Sequence, residues 1–125
     1  MKNKLSVVLA TRNEEANIGP CLASVKGLAD DIVVVDEEST DKTCEIAKKY
    51  GARVFSEPHE EVFHITKQKA LDKAKGEWIL QLDADERVTP ELAKEIREII
   101  DMTEEELKKR KLPKRKMKLF ERQQK

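Results

Sequence analysis

The stretch that decides the fold is Trp78-Ile79-Leu80-Gln81-Leu82-Asp83-Ala84-Asp85-Glu86. A short apolar run follows Gly76 and ends in three carboxylates within four residues. Such a run is typical of a buried strand, and ligands of open α/β sheets bind beyond the carboxyl ends of the strands. An Asp-x-Asp pattern can bring two carboxylates to one hard cation such as Mg²⁺ or Mn²⁺. The stretch therefore predicts a metal and ligand site, with a solvated strand-to-loop corner as the alternative.

Working outward, four apolar runs alternate with segments of helical spacing. The predicted strands are residues 5–10, 32–35, 53–55 and 78–82. The predicted helices are a first one stopped by Gly27 and then residues 42–50, 66–75 and 90–100, with residues 56–65 as a loop. Strands that alternate with helices indicate a parallel sheet covered by helices, with right-handed crossovers.

Composition and charge limit the possible classes of protein. At 125 residues the chain fits one domain, and 40% of its residues are charged. Residues 1–100 hold fifteen Lys/Arg against twenty Asp/Glu, whereas residues 101–125 hold ten against five. We therefore predict a folded domain over residues 1–102 and a basic tail, helical or partly disordered, over residues 103–125. Thr103 and Glu106 have the spacing of a capping box within that tail.

The tail leaves three interpretations open. Its basic runs, residues 108–111 and 114–116, could contact an anionic membrane or nucleic acid, or form a solvated charged helix. Nucleic acid is the less favoured partner because no aromatic stacking platform accompanies the charge.

Cys21 and Cys44 lack metal-binding spacing and indicate core-facing thiols in a reducing compartment. No apolar run approaches the roughly 18 residues of a membrane helix, and the N-terminal run is short for a signal peptide, so we expect a cytoplasmic protein.

Polar side chains follow three of the predicted strands. They are Thr11, Asn13 and Glu14 after the first, Asp36, Ser39 and Asp41 after the second, and Asp83 and Asp85 after the fourth. Neighbouring parallel strands end at one edge of a sheet, so a shared ligand site for Asp36, Asp83 and Asp85 is favoured. The alternative for Thr40 and Asp41 is a purely structural role as helix caps.

Residues 5–95 resemble the nucleotide-binding half of family-2 glycosyltransferases, which have the GT-A fold. The matching pieces are residues 8–15, residues 32–36 with 39–43, residues 70–78, and Leu82-Asp83-Ala84-Asp85-Glu86 as the family's Asp-x-Asp signature. The resemblance is greatest to bacterial members that glycosylate lipopolysaccharide cores. It implies a truncated GT-A domain, a mostly parallel Rossmann-like sheet flanked by helices.

The resemblance also implies roles for individual residues. Thr11 and Asp36 would contact the base, with Glu14 near the base or ribose, and Asp83 would approach the ribose. Asp85 would hold Mg²⁺ or Mn²⁺ against the diphosphate, and Lys67 would offer phosphate a cation. Asn13 and Ser39 complete the implied nucleotide-sugar site. The implied reaction is glycosyl transfer, with inversion, from a UDP-sugar as the favoured donor to a saccharide or lipid-linked acceptor, with peripheral contact at the inner face of the membrane.

Two departures from the family pattern keep alternatives open. Glu37 and Glu38 stand where relatives usually have a Gly before the Ser, so a positive φ there would strain Glu38. The acceptor half and its general base are not recognisable, and Glu86, His59 and His64 are only the nearest bases in the sequence. A catalytically incomplete donor-binding module is therefore the alternative to an enzyme, and a dimer or a partner subunit could cover the exposed side of a short core.

Overall fold

The structure, a computed structural model, describes residues 4–109 and the backbone of residues 120–122. In chain order the elements are β1 Leu5–Thr11, α1 Glu15–Ala23, β2 Asp31–Glu37, α2 Thr43–Lys49, β3 Arg53–Glu57, α3 Phe63–Asp72, β4 Trp78–Gln81, α4 Pro90–Ile100, α5 Glu104–Lys109 and β5 Phe120–Arg122. The predicted alternation of strands and helices is confirmed.

The five strands form one sheet in the order β3-β2-β1-β4-β5. β1 to β4 run parallel, and β5 pairs antiparallel with β4. The chain builds outward from β1 through β2 and β3, then returns to place β4 on the other side of β1. The carboxyl ends of β1 and β4 therefore flank a topological switch point, the place where open α/β sheets bind ligands.

The alternation of side chains along each strand divides the core into two layers. Val7, Leu9 and Val34 belong to the larger cluster, which also contains residues of α1, α2 and α4. Val8 and Val33 face the opposite layer, which contains residues of α3. α3 covers that second face, where Ala70 shares a cluster with residues of β1 and β2 and with Ile79 of β4.

A group of hydrogen-bonded polar residues around Asp31 forms a clamp at the amino-terminal ends of the strands, opposite their carboxyl ends. Asp31 Oδ1 and Oδ2 accept hydrogen bonds from Arg53 Nε and Nη2 at 2.9 and 3.1 Å, and Oδ2 also accepts from the Ser6 hydroxyl at 2.6 Å. Gly76 N donates to the same hydroxyl at 2.7 Å, and a Cβ at Gly76 would lie 2.6 Å from Ser6 N. Glycine is required here because β4 begins in direct contact with the backbone of β1.

Several predicted helix signals are confirmed. The Thr89 hydroxyl accepts a hydrogen bond from Leu92 N at 3.1 Å and caps α4, with Pro90 in the first turn. Thr103 and Glu106 form the capping box of α5, with Glu106 N donating to the Thr103 hydroxyl at 3.2 Å and Thr103 N to Glu106 Oε1 at 3.2 Å.

The prediction for α3 was wrong by three residues at each end. The helix begins at Phe63 rather than Thr66 and ends at Asp72 rather than Lys75, so residues 56–57 lie in β3 and 63–65 in α3 instead of a loop. No side chain caps its start, which left no signal in the sequence. Just beyond its end, Arg53 Nη2 donates to the Lys73 carbonyl at 2.7 Å, which links the start of β3 to this helix end.

The sequence did not predict β5, whose three residues form a strand by pairing with β4. The division into residues 1–102 and 103–125 stays a prediction, and the part of the basic tail at 110–119 lies outside the described residues. Within the described part of the chain, no helix has the length and apolar character needed to cross a membrane.

Candidate nucleotide-sugar site

A buried polar cluster lies where β1 and β2 end. Thr11 and Asp36 are register partners, and their side chains are buried. The Thr11 hydroxyl donates to Asp36 Oδ1 at 2.7 Å, and the Ser39 hydroxyl donates to the same oxygen at 2.6 Å. Ser39 N donates to Asp36 Oδ2 at 2.8 Å. The predicted residues Thr11, Asp36 and Ser39 therefore form one hydrogen-bonded group.

The loops after β1 and β2 are joined by further hydrogen bonds. Asn13 N donates to the Ser39 hydroxyl at 2.8 Å, and Thr40 N donates to Asn13 Oδ1 at 2.8 Å. Glu14 N donates to the Thr43 hydroxyl at 2.9 Å. The side chains of Asn13 and Ser39 thus connect the two loops, and Asn13 adopts a left-handed φ of 51° to do so.

Asp41 acts as a cap, as the structural alternative held, and it serves two helices. Its Oδ1 accepts hydrogen bonds from the backbone N–H and the hydroxyl of Thr43 at the start of α2. Its Oδ2 accepts one from Glu15 N at 3.1 Å at the start of α1. These hydrogen bonds and the α1 macrodipole favour the carboxylate, and the pKa of Asp41 is lowered chiefly by the Thr43 hydroxyl. Sequence spacing suggests the first role, but the second depends on β1 and β2 being neighbours.

The two glutamates that depart from the family pattern hold a neighbouring loop. Glu38 has a φ of 51°, so the position does require a left-handed backbone. Glu38 Oε1 accepts a hydrogen bond from His59 N at 3.0 Å, and Glu37 Oε1 lies 2.6 Å from His59 Nδ1. His59 lies in an exposed loop, as predicted, and also contacts the buried Glu37.

The carboxylates after β4 have different surroundings. Asp83 Oδ1 lies 3.0 Å from Lys67 Nζ of α3, and Asp83 N donates to Glu86 Oε1 at 2.7 Å. Asp85 is exposed and makes no hydrogen bond or ion pair with another described residue. The structure thus pairs Lys67 with Asp83 and leaves the Asp85 carboxylate available to an external ligand.

The carboxylate oxygens of this site suit a metal ion that is coordinated partly by the protein and partly by a bound ligand. No group of three or more His, Cys, Asp or Glu side chains capable of holding a metal ion occurs among residues 4–109. Mg²⁺ commonly binds through one or two carboxylates while keeping water and substrate phosphate as its other ligands. A single free carboxylate at Asp85 fits that mode and does not fit a cage made by the protein alone.

Neither cysteine has the character of a nucleophile. Burial and a hydrogen bond with Asp36 raise the pKa of the Cys44 thiol to about 11. Burial raises the pKa of Cys21 to about 11 as well, and its Sγ lies 3.7 Å from the Asp83 carbonyl. Both are free thiols that stay protonated at neutral pH. The predicted core position is confirmed for Cys21, whereas Cys44 is only half-buried and contacts Asp36 instead.

The sheet and this site define a class of protein, an α/β domain of the GT-A type with an Asp-x-Asp pattern beyond a central strand. The Glycosyl transferase family 2 profile matches residues 6–122. The chain belongs to glycosyltransferase family 2.

Similar proteins agree with this assignment. A glycosyltransferase of Rickettsia bellii is 42% identical over 98 residues, which are 77% of this chain and 32% of that protein. The lipopolysaccharide core biosynthesis glycosyltransferase LpsC of Rhizobium meliloti is 33% identical over 109 residues, 83% of this chain and 40% of LpsC. The chain thus spans about a third of the length of the relatives it matches.

Solved structures show the same fold. TarS residues 1–349 from S. aureus superpose with a TM-score of 0.69 at 32% identity, over 78% of this chain and 32% of that one. Glucosyl-3-phosphoglycerate synthase from Mycobacterium tuberculosis, in complex with Mn²⁺, UDP and glucosyl-3-phosphoglycerate, superposes with a TM-score of 0.58 at 28% identity, over 68% of this chain and 36% of that one.

Proposed function

We propose that this domain binds a UDP-sugar together with Mg²⁺ or Mn²⁺ and takes part in transfer of the sugar, with inversion, to a saccharide or lipid-linked acceptor. The observation that carries the proposal is the convergence of the ends of β2, β1 and β4, which bear Asp36, Thr11 and Asp83 on adjacent strands. The Mn²⁺ and UDP bound by glucosyl-3-phosphoglycerate synthase support the same ligands here.

The hydrogen bonds of Asp36 favour a uracil base. Oδ1 already accepts from two hydroxyls and Oδ2 from one backbone N–H, and the Cys44 thiol also hydrogen-bonds to the carboxylate. Because a thiol is a weak donor, the carboxylate retains one acceptor position that a stronger donor can take from Cys44. Uracil offers an N3–H donor for that position. Cytosine presents an unprotonated N3 instead, which would leave two acceptors facing each other. We therefore expect UDP to bind in preference to CDP.

The charges beyond β4 suit a diphosphate that arrives with its cation. Lys67 can attract phosphate, and Asp85 would coordinate the metal, whose positive charge offsets repulsion between phosphate and the acidic residues. When bound, the metal would stabilise the negative charge that develops on the leaving diphosphate. In the transfer, an acceptor hydroxyl bonds to the anomeric carbon as the bond to UDP breaks, and the hydroxyl proton passes to a base. We assign no described residue as that base.

Calorimetric titration of UDP, with and without Mn²⁺, tests the proposal. The wild type should bind UDP more tightly with Mn²⁺, and Asp85→Asn should abolish the difference. Asp101→Asn is the matched control, because Asp101 pairs with Lys4 at the opposite edge of the sheet, at 2.9 Å. The proposal fails if UDP does not bind, or if the metal dependence survives in Asp85→Asn.

A second candidate is a module that binds the donor without transferring the sugar. The absence of an assignable base among the described residues favours it. Release of UDP from a UDP-sugar, with and without added saccharide acceptor, separates the two candidates. For the enzyme we also propose peripheral contact with the inner face of a membrane. Binding of the protein to anionic vesicles tests that contact.

A further inference from the structure

Glu37 is a carboxylate buried beneath α3. It is the last residue of β2 and is 0% exposed, and it lies on the same face of the strand as Val33 and Val35, which pack in the α3 layer. Asp36 lies on the other face, so Glu37 takes no part in the hydrogen-bonded group that Asp36 forms with Thr11. The proposed function therefore gives this buried charge no role.

One oxygen of Glu37 holds the loop that leads into α3. Glu37 Oε1 lies 2.6 Å from His59 Nδ1 and accepts a hydrogen bond from Glu60 N at 3.4 Å. Lys69 Nζ of α3 lies 2.9 Å from Glu57 Oε1 and 3.7 Å from Glu60 Oε1, which ties the same loop to the helix. The loop and the helix are thus joined to each other above a single buried carboxylate.

The contact of Glu37 with α3 itself is made through Thr66. Glu37 Oε2 and the Thr66 hydroxyl are both buried, and neither makes a well-formed hydrogen bond within the part of the chain that the structure describes. Burial alone would raise the pKa of Glu37, but the Thr66 hydroxyl and then the His59 ring outweigh it, so that the pKa of the carboxyl is lowered. A buried charge that is only partly compensated is costly, and it calls for an explanation other than stability.

Thr66 is the residue that holds the amino-terminal part of α3 against the sheet. Residues 61–65 are all exposed, and no side chain caps the helix. Thr66 is the first buried residue of α3, and Lys67, which follows it, places its Nζ 3.0 Å from Asp83 Oδ1. The position of the Lys67 ammonium group therefore depends on the contact between Thr66 and Glu37.

We propose that Glu37 is a positioning residue that acts through Thr66 to place the Lys67 ammonium group where it contacts the diphosphate of the donor. The inference rests on the proposed function, in which Lys67 attracts phosphate. Glu37 itself touches no ligand, because its side chain is fully buried on the α3 face. The attraction between an ammonium and a phosphate falls with distance, so a displaced α3 should weaken the binding of the diphosphate and leave the binding of the base unchanged.

A double-mutant cycle measured by calorimetry with UDP in Mn²⁺ tests this role. Glu37→Met keeps the length of the side chain and removes both oxygens, and it should lower the affinity for UDP roughly three- to tenfold, a part of the loss expected for a charged hydrogen bond. Glu37→Gln should restore most of the affinity, because an amide can again pair with His59 and Thr66. In Lys67→Met, adding Glu37→Met should change the affinity by less than about twofold, because two residues that act through one contact are not additive.

Two controls distinguish positioning from stability. Asp31→Asn alters another buried, hydrogen-bonded carboxylate at the amino-terminal ends of the strands, so it should destabilise the fold and leave the affinity for UDP unchanged. Uridine has no phosphate, so its affinity, followed by NMR titration, should be the same in Glu37→Met and the wild type. Thr66→Val keeps the shape of the side chain and removes the hydroxyl, and it provides the same cycle should Glu37→Met not fold.

The outcomes separate this inference from the proposed function. If UDP does not bind the wild type, the proposed function fails and the positioning role fails with it. If UDP binds but Glu37→Met leaves its affinity unchanged, only the positioning role is overturned. The role is also overturned if Glu37→Met weakens uridine as much as UDP, or if its effect is as large in Lys67→Met as in the wild type. Glu37 would then act on the base site or on the whole domain rather than through Lys67.

Discussion

Asp36 is a buried carboxylate whose hydrogen-bond partners are Thr11 of the neighbouring strand β1 and Ser39 of the loop after β2. Thr11 and Asp36 are only 0% and 1% exposed, so the hydrogen bond between them is made away from water. Thr11→Val preserves the shape of the side chain but removes a donor to Asp36. We expect a loss of about 1 kcal/mol in the free energy of unfolding and a several-fold loss of UDP affinity, because Asp36 loses part of its orientation. Urea unfolding and calorimetry measure the two effects.

Thr89→Ala is the control for this prediction. Thr89 caps α4, so its loss should cost about 1 kcal/mol of stability as well, yet UDP affinity should not change. If Thr11→Val keeps full UDP affinity, the hydroxyl has only a structural role and the orientation argument is wrong.

Glu38 combines a left-handed backbone with a negative charge in the loop that follows Asp36. Glu38→Gly relieves the positive φ and removes the charge, at the cost of the hydrogen bond from His59 N. These effects on folding oppose each other, so we expect stability to change by less than about 1 kcal/mol. Affinity for UDP should rise several-fold at low salt, because the site then carries one negative charge less against the anionic ligand, and it should rise less at high salt.

Glu38→Gln separates charge from backbone strain. It keeps the side chain that contacts His59 and removes only the charge, so it should reproduce the gain in UDP affinity. A gain seen with Gly but not with Gln would locate the effect in the backbone of the loop.

Among the elements, the clamp around Asp31 joins β1, β2, β3 and the end of α3. Burial opposes ionisation of Asp31, but hydrogen bonds from Arg53, Ser6 and Lys75 N outweigh it and lower the pKa of the carboxyl. A carboxyl whose pKa is lower in the folded state stabilises the fold above its unfolded pKa of about 4. That contribution is lost as the pH falls through the folded pKa.

Asp31→Asn should therefore destabilise the domain by about 1.5–3 kcal/mol at pH 7, the range for hydrogen bonds to a charged group. The difference from the wild type should shrink as the pH is lowered below about 4, because the wild type then loses the same charge. Denaturant unfolding across pH measures this convergence. A constant difference at every pH would show that Asp31 acts through packing rather than through its charge.

The sequence predicts an element well when the residues that determine its bounds lie within or next to that element. Strands β1 and β2 and the caps of α4 and α5 carry their signals in their own residues, as apolar runs or as Thr89 and Thr103. The residue after α3, Lys73, has its carbonyl hydrogen-bonded by Arg53, which is twenty residues away in the chain.

The candidate site shows the same division. The Asp-x-Asp stretch and the polar strand ends identify Asp36, Asp83 and Asp85 as candidates from the sequence. That Asn13 and Ser39 connect two loops, and that Lys67 pairs with Asp83, follows only from the neighbouring positions of the strands and α3. Their predicted contacts with the donor stay predictions.

For the whole molecule, the expected consequence of this arrangement is that metal and nucleotide bind as one unit. With Asp85 as the only proposed protein ligand, Mn²⁺ alone should bind weakly and leave the melting temperature unchanged. UDP with Mn²⁺ at about 100 times the dissociation constant should stabilise the fold by about 2.7 kcal/mol. For a domain of this size that corresponds to an increase of at least several degrees in Tm, which a thermal unfolding scan resolves.

Two variants test whether the joint binding of metal and nucleotide depends on Asp85. In Asp85→Asn, UDP with Mn²⁺ should raise Tm no more than UDP alone, whereas Asp101→Asn should respond as the wild type does. If Mn²⁺ alone raised Tm as much as the pair, the described residues would have to hold the ion without phosphate, and a single carboxylate does not account for that. Stabilisation that requires both ligands together would instead mean that the strand ends form a binding site only for the complete metal–nucleotide complex.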